Sequence, residues 1–247
     1  MPSITVDGIR KSFGDVVALR DVRFDVAAGE VFCILGPNGA GKTTTVECIA
    51  GALTPDAGRV DVLGADPARA RTHVRQRVGY QLQSTTLPPA LRVGEALDLF
   101  AAFYKHPADI DDLLEFVGLS AHRRRPFGTL SGGQKQRLSI ALALVGNPDI
   151  AVFDELTTGL DPEGRRDIWA LIRQVNGRGV TVVLVTHYLD EAERLGDRLA
   201  VIFDGRTTFV GTPAELRAAP HPTADMWSLE DAYLHLVNAA RAEQEGA

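Results

Sequence analysis

An unbroken apolar run, Val31-Phe32-Cys33-Ile34-Leu35, passes directly into Gly36-Pro37-Asn38-Gly39-Ala40-Gly41-Lys42-Thr43-Thr44. Five apolar residues without alternation suit a strand covered on both faces, as in a parallel α/β sheet. The stretch from Thr44 to Ala50 reads as helical, which completes a strand, loop, helix unit. In such a loop the glycines let successive backbone N–H groups turn toward one anion. Lys42 answers the β/γ charge of a bound polyphosphate, and the Thr43 hydroxyl can ligate Mg²⁺.

Three more segments carry chemistry. Ile150 to Phe153 is a second buried strand, and Asp154-Glu155 ends it with two carboxylates, at the strand edge where ligands of open α/β sheets gather. Asp154 can hold a metal ion, and Glu155 can act as general base for in-line attack on a γ-phosphate. The third buried strand, Val180 to Val185, leads through Thr186 to His187, which emerges at the same edge and can donate to a phosphate oxygen. Ser131-Gly132-Gly133-Gln134 has S-x-x-Q spacing ahead of the apolar helix Leu138 to Val145, a capping box. With Lys135 and Arg137 in its first turn, that helix end reads either as a capped structural terminus or as a second anion site.

Composition narrows the partners. The chain has 247 residues, 45% apolar and 23% charged, and a net charge of −6, which permits one large or two small cores. An acidic field repels nucleic acid, so a polynucleotide is not the expected partner. Cys33 and Cys48 lie in apolar segments without metal-ligand or disulfide spacing and read as buried thiols in a reducing compartment. No secretory leader and no bilayer-length apolar run is legible, so any membrane role would pass through a partner that supplies the spanning helices.

Along the chain, Ile4-Thr5-Val6, Asp7-Gly8 and Ile9 to Phe13 read as a hairpin. Val22, Phe24 and Val26 alternate with Arg23 and Asp25 as a half-wet strand. From about Thr85 to Pro148 the period is helical, with Val93, Ala96, Leu97, Phe100 and Phe103 on one face and Ile110, Leu113, Leu114 and Val117 on the next, stopped by Gly118. A helix opened by Asp161-Pro162 and closed by Asn176-Gly177 joins the second and third buried strands in a right-handed βαβ unit. Leu199 to Val210 forms a closing hairpin about Asp204-Gly205, and the tail holds a weak helix from Glu230 to Val237 before a frayed end. The expected class is α/β: 1–84 a β subdomain with the first part of the core, 85–148 an inserted helical subdomain, 149–212 the second part of the core, and 213–247 a helical tail.

The segments GPNGAGKTT, GYQLQ, LSGGQKQR, FDELTTGLD and VTHYLDEAE occur in this order, and over residues 3 to about 212 the chain resembles the ATP-binding cassette ATPases. The resemblance implies a P-loop nucleoside triphosphatase core with an N-terminal antiparallel β subdomain and an inserted helical one. It implies ATP as ligand and substrate, Mg²⁺ as cofactor, and a head-to-tail dimer in which Ser131 to Gln134 of one subunit close over ATP held by the other's Gly36 to Thr44. Phe13 would be the platform for adenine, although it equally reads as core packing. Gln83 would touch Mg²⁺ or the attacking water and sense the membrane partner, or be a plain loop glutamine. Asp161 would contact the second subunit, a role compatible with capping the helix that Pro162 begins. Two departures stand out: Leu156 replaces the family's usual proline, and Tyr80-Gln81-Leu82-Gln83 replaces the commoner Leu-Pro-Gln loop.

QLQSTTLPPALRVGEALDLF, THYLDEAERLGDR and SLEDAYLHL further resemble the drug-export and antibiotic-resistance branch. That implies a separate transmembrane permease, a position at the cytoplasmic face of the cell membrane, and a docking surface for a permease helix at Thr85 to Arg92 and the helical block. The alternative is a soluble, non-transport cassette ATPase acting as a scaffold. A guanine-nucleotide switch is disfavoured because no N-K-x-D motif is present.

Overall fold

The structure, a computed structural model, describes residues 2–81, 87–218 and 227–245. Its strands are β1 (Pro2–Phe13), β2 (Val16–Ala27), β3 (Val31–Leu35), β4 (Ala57–Val62), β5 (Val78–Gln81), β6 (Ile150–Asp154), β7 (Thr181–Val185), β8 (Arg198–Phe203) and β9 (Arg206–Gly211). Its helices are α1 (Lys42–Ile49), α2 (Arg71–Arg75), α3 (Val93–Ala101), α4 (Ile110–Phe116), α5 (Gly132–Leu144), α6 (Pro162–Gly177), α7 (Leu189–Leu195), α8 (Pro213–Arg217) and α9 (Leu229–Glu245).

The strands form one nine-stranded sheet in the order β4-β1-β2-β9-β8-β3-β7-β6-β5. β8, β3, β7, β6 and β5 are parallel, while β4, β1 and β2 are antiparallel. The antiparallel part joins the rest through a short parallel pairing of Asp21 with Arg206, where the Arg20 and Asp21 N–H groups donate to the Gly205 carbonyl. This is the expected α/β class with an antiparallel β unit at its N-terminus.

Alternate residues of the central strands serve different cores, which is why their sequences show no polar alternation. Val31, Cys33, Leu35, Ala151, Phe153, Val182 and Leu184 pack with the helices α3 to α9 on one face. Phe32, Ile34, Ile150, Val152, Val183 and Val185 pack with α1 and the antiparallel strands on the other. Between β5 and β6 all regular structure among the described residues is helical. No described helix is long and apolar enough to cross a membrane.

Several sequence expectations are corrected. Asp7-Gly8 is not a hairpin turn: β1 runs straight through it, and pairing with both β2 and β4 shifts register beside Gly8, whose φ is +62°. A glycine at positive φ serves a bulge as well as a turn, and here the long partner strand β2 captures both halves of β1. The hairpin turn is Gly14-Asp15, between Phe13 and Val16. Strands β4 and β5 carried no legible signal in the sequence. Phe103 lies beyond the end of α3 and is 68% exposed, so it is not on that helix's buried face. α1 begins at Lys42 rather than Thr44. α9 continues through to Glu245, well past Val237, and Ala240 packs against the core beyond that point.

Candidate functional site

The loop after β3 is shaped by close backbone approaches. A Cβ on Gly36 would lie 2.2 Å from the Ile202 carbonyl oxygen, and one on Gly41, at φ +99°, would lie 2.6 Å from the Ala18 carbonyl oxygen. Neither position accepts a side chain without moving a neighbouring strand. Gly41 caps α1 without a side-chain hydrogen bond, and the first turn of α1 holds no acid. Its free N–H groups and the positive end of the helix dipole therefore remain available to an anion.

Lys42 is 6% exposed and donates to the carbonyl oxygens of Gly36 at 2.8 Å and Pro37 at 2.9 Å. Burial pulls its ammonium below the ordinary lysine range, and the charges of Glu155 and Asp154 oppose that shift. The Thr43 hydroxyl donates to Asp154 Oδ2 at 2.9 Å, tying the helix start to the end of β6. Asp154 is 1% exposed; burial raises its carboxyl above the usual range, the Thr43 bond lowers it, and Glu155 adds repulsion. Asp154 Oδ1 is buried and has no hydrogen-bond partner among the described residues.

An orphaned carboxylate oxygen beside a threonine hydroxyl fits a hard divalent cation that takes oxygen ligands. No group of three or more His, Cys, Asp or Glu able to cage a metal occurs among the described residues.

Glu155 adopts φ +51°, a left-handed conformation costly for a residue with a Cβ. Its N–H donates to the Val185 carbonyl, and its Oε1 lies 3.3 Å from His187 Nδ1. β6 and β7 are adjacent and parallel, so their C-terminal ends bring Glu155 and His187 together. A cleft of about 260 Å³ is lined by Ala18, Asn38, Gly39, Lys42, Thr43 and Glu155, among others. The larger clefts lie elsewhere; the chemistry does not follow size.

Lys42, Thr43, Asp154, Glu155 and His187 are thus linked to one another within this chain. Ser131 to Gln134 do not line that cleft, and Ser131 and Gly132 are exposed. They begin α5 with a capping box: Ser131 Oγ accepts from Gln134 N–H at 3.3 Å, and Gln134 Oε1 accepts from Ser131 N–H at 3.0 Å. Asp161 caps α6, accepting from Gly164 N–H at 2.7 Å, and Leu160 beside it approaches Gly132. Phe13 is 49% exposed at the β1–β2 tip, with Lys11 Nζ 5.6 Å from its ring centre, so it is not core packing. Gln83 lies outside the described residues, as do Thr85 and Thr86 of the expected docking segment.

Sequence reasoning missed three features. Gln81 is buried and its Oε1 accepts from Asp154 N–H at 3.2 Å, bracing the Asp154 backbone from β5. Glu191 of α7 is a buried carboxylate that accepts from Trp169 Nε1 at 2.9 Å; burial raises its pKa against bonds from Thr186, Trp169 and Thr157. An apolar groove of about 540 Å³ runs between Ala50, Ala52 and Tyr80 on one wall and Phe100, Phe103 and Tyr104 on the other. The sequence carried no signal for the groove, because Phe100 and Phe103 read there as one buried helix face.

Residues 19–158 match the sequence model of the family described as ABC transporter. A Nod factor export ATP-binding protein I of Burkholderia lata is 44% identical over 224 residues, covering 87% of this chain and 73% of that protein. A daunorubicin resistance ATP-binding protein of Streptomyces coeruleorubidus is 42% identical over 221 residues, covering 87% and 70%. A solved structure of an ATP-binding subunit of an ABC transporter superposes with a TM-score of 0.83 at 27% identity, covering 94% of this chain and 98% of that one.

Proposed function

We propose, from the premise that this chain belongs to the ABC transporter family as an ATP-binding subunit that hydrolyses ATP, that two copies close head to tail around two Mg²⁺-bound ATP molecules and so drive a separate permease. The observation that carries the reading is an incomplete site. Lys42, Thr43, Asp154, Glu155 and His187 converge at one sheet edge, while the capped tip lies outside that cleft with Ser131 and Gly132 exposed. A second copy supplies what each cleft lacks.

In this reading the backbone N–H groups of Gly36 to Thr44 and the Lys42 ammonium hold the β- and γ-phosphates. Thr43 and Asp154, with Gln83, would hold Mg²⁺, which when bound neutralises charge on the phosphate oxygens. Glu155 takes the proton of the attacking water, and His187, 3.3 Å from it, orients the carboxylate and donates to a γ-phosphate oxygen. Phe13 stacks on adenine, and Asp161 meets the partner copy beside the signature tip.

The permease docks a short helix in the groove between Tyr80 and Phe103, which holds the chain at the cytoplasmic face of the membrane. Export is the direction carried by the names of the Nod factor and daunorubicin relatives.

The test is Glu155→Gln with ATP and Mg²⁺ in size-exclusion chromatography with light scattering. The reading requires a nucleotide-dependent dimer that Ser131→Arg abolishes. A Glu155→Gln chain that stays monomeric at saturating ATP refutes it.

A further inference from the structure

His122 ends a short 3₁₀ turn, Ser120–His122, that precedes the signature segment. Its Nε2 lies 3.0 Å from Gln134 Nε2. Gln134 is already oriented, because Ser131 N–H donates to its Oε1 at 3.0 Å. The other end of the amide must therefore be the NH₂ group, which only donates. His122 Nε2 must accept, so the ring proton sits on Nδ1. That nitrogen is buried and has no hydrogen-bond partner among the described residues, so the Gln134 contact alone selects the tautomer.

The alternatives each break something. Turning the Gln134 amide over sets NH₂ against Ser131 N–H, donor to donor, and opens the capping box. Placing a proton on His122 Nε2 sets it against the same NH₂ group. The state of one imidazole is thus coupled to the geometry of the first turn of α5.

We propose that His122 is a positioning residue: as the neutral Nδ1–H tautomer it locks the Gln134 amide, and through it the Ser131 cap, in the orientation that grips the partner copy's ATP. This rests on the reading of Ser131 to Gln134 as the partner-facing half of the ATP site. The coupling itself is a property of the single chain.

The first measurement reads the native protein and uses a variant only for assignment. A multiple-bond ¹H–¹⁵N spectrum of the whole protein, with the His122 signals assigned by their loss in His122→Gln, should show a protonated Nδ1 and an unprotonated Nε2. A protonated Nε2, as the other tautomer or as imidazolium, overturns the proposal. The second measurement is kinetic. His122→Leu removes the acceptor and should lower ATP turnover about three- to tenfold, the effect of one net hydrogen bond. Binding of a fluorescent ATP analogue to the single subunit should be unchanged.

His122→Gln, whose Oε1 reaches the same point as an acceptor, should restore turnover. Thermal melts confirm that both variants fold. Wild-type turnover in His122→Leu, or a folded His122→Gln as slow as His122→Leu, refutes the positioning role. A Ser131→Ala chain at the wild-type rate would instead refute the signature reading underneath. A slow Ser131→Ala beside an unimpaired His122→Leu refutes the positioning role alone.

Discussion

Replacing Glu155 by glycine should separate activity from stability, because this side chain is both the proposed base and the bearer of a strained backbone. At φ +51° the residue occupies the left-handed region, which costs an L-residue about 1–2 kcal/mol and glycine essentially nothing. Glycine returns about 0.5–1 kcal/mol of that gain through the extra freedom of the unfolded chain. Glu155→Gln keeps the strain and removes the charge, so it is the proper reference. The difference leaves Glu155→Gly more stable than Glu155→Gln by up to about 1.5 kcal/mol, or up to about 6 °C in melting temperature for a chain of this size. Both variants lose the base and should hydrolyse ATP about 10²- to 10⁴-fold more slowly. Phosphate release at saturating ATP measures the first effect, and urea unfolding the second. A Glu155→Gly chain less stable than Glu155→Gln, or either variant within tenfold of the native rate, refutes the account of this position.

Lys42→Ala should abolish tight ATP binding, measured by fluorescence of a labelled analogue, because no other described lysine or arginine lines the cleft between Asn38 and Glu155. Phe103→Asp places a charge in the apolar groove and should abolish co-purification with the membrane subunit while the far-ultraviolet circular dichroism stays native. Glu191 gives a pH signature. Burial raises its carboxyl above the ordinary value of 4.5, so its contribution to stability is fully present below that value and is lost as pH rises through the folded pKa. Glu191→Gln keeps an acceptor for Trp169 and should flatten the urea midpoint against pH above 4.5, whereas an unchanged slope would mean that the buried carboxyl does not titrate there.

The residues of the candidate site were legible because their signals are local. A strand that fills two cores reads as an apolar run, and a loop that crowds Ile202 and Ala18 reads as glycines at Gly36 and Gly41. A helix tip that caps itself reads as Ser131 with Gln134 three residues on. Asp7-Gly8 marks the limit of such reading, since a turn and a bulge ask the same of a glycine.

Pairing decided that case: β2 spans 12 residues and offers both halves of β1 more hydrogen bonds than they could offer each other. β5 is four residues long and becomes a strand only because β6 lies beside it. Gln81 braces Asp154 across 73 positions, and Trp169 reaches Glu191 across 22. His122 meets Gln134 only because the turn before α5 folds back on its tip. Composition, periodicity and motif order belong to neighbours along the chain and were set by the sequence alone. Which groups end within hydrogen-bonding reach of one another depends on how the strands are ordered in the sheet, and only the tertiary fold could decide that.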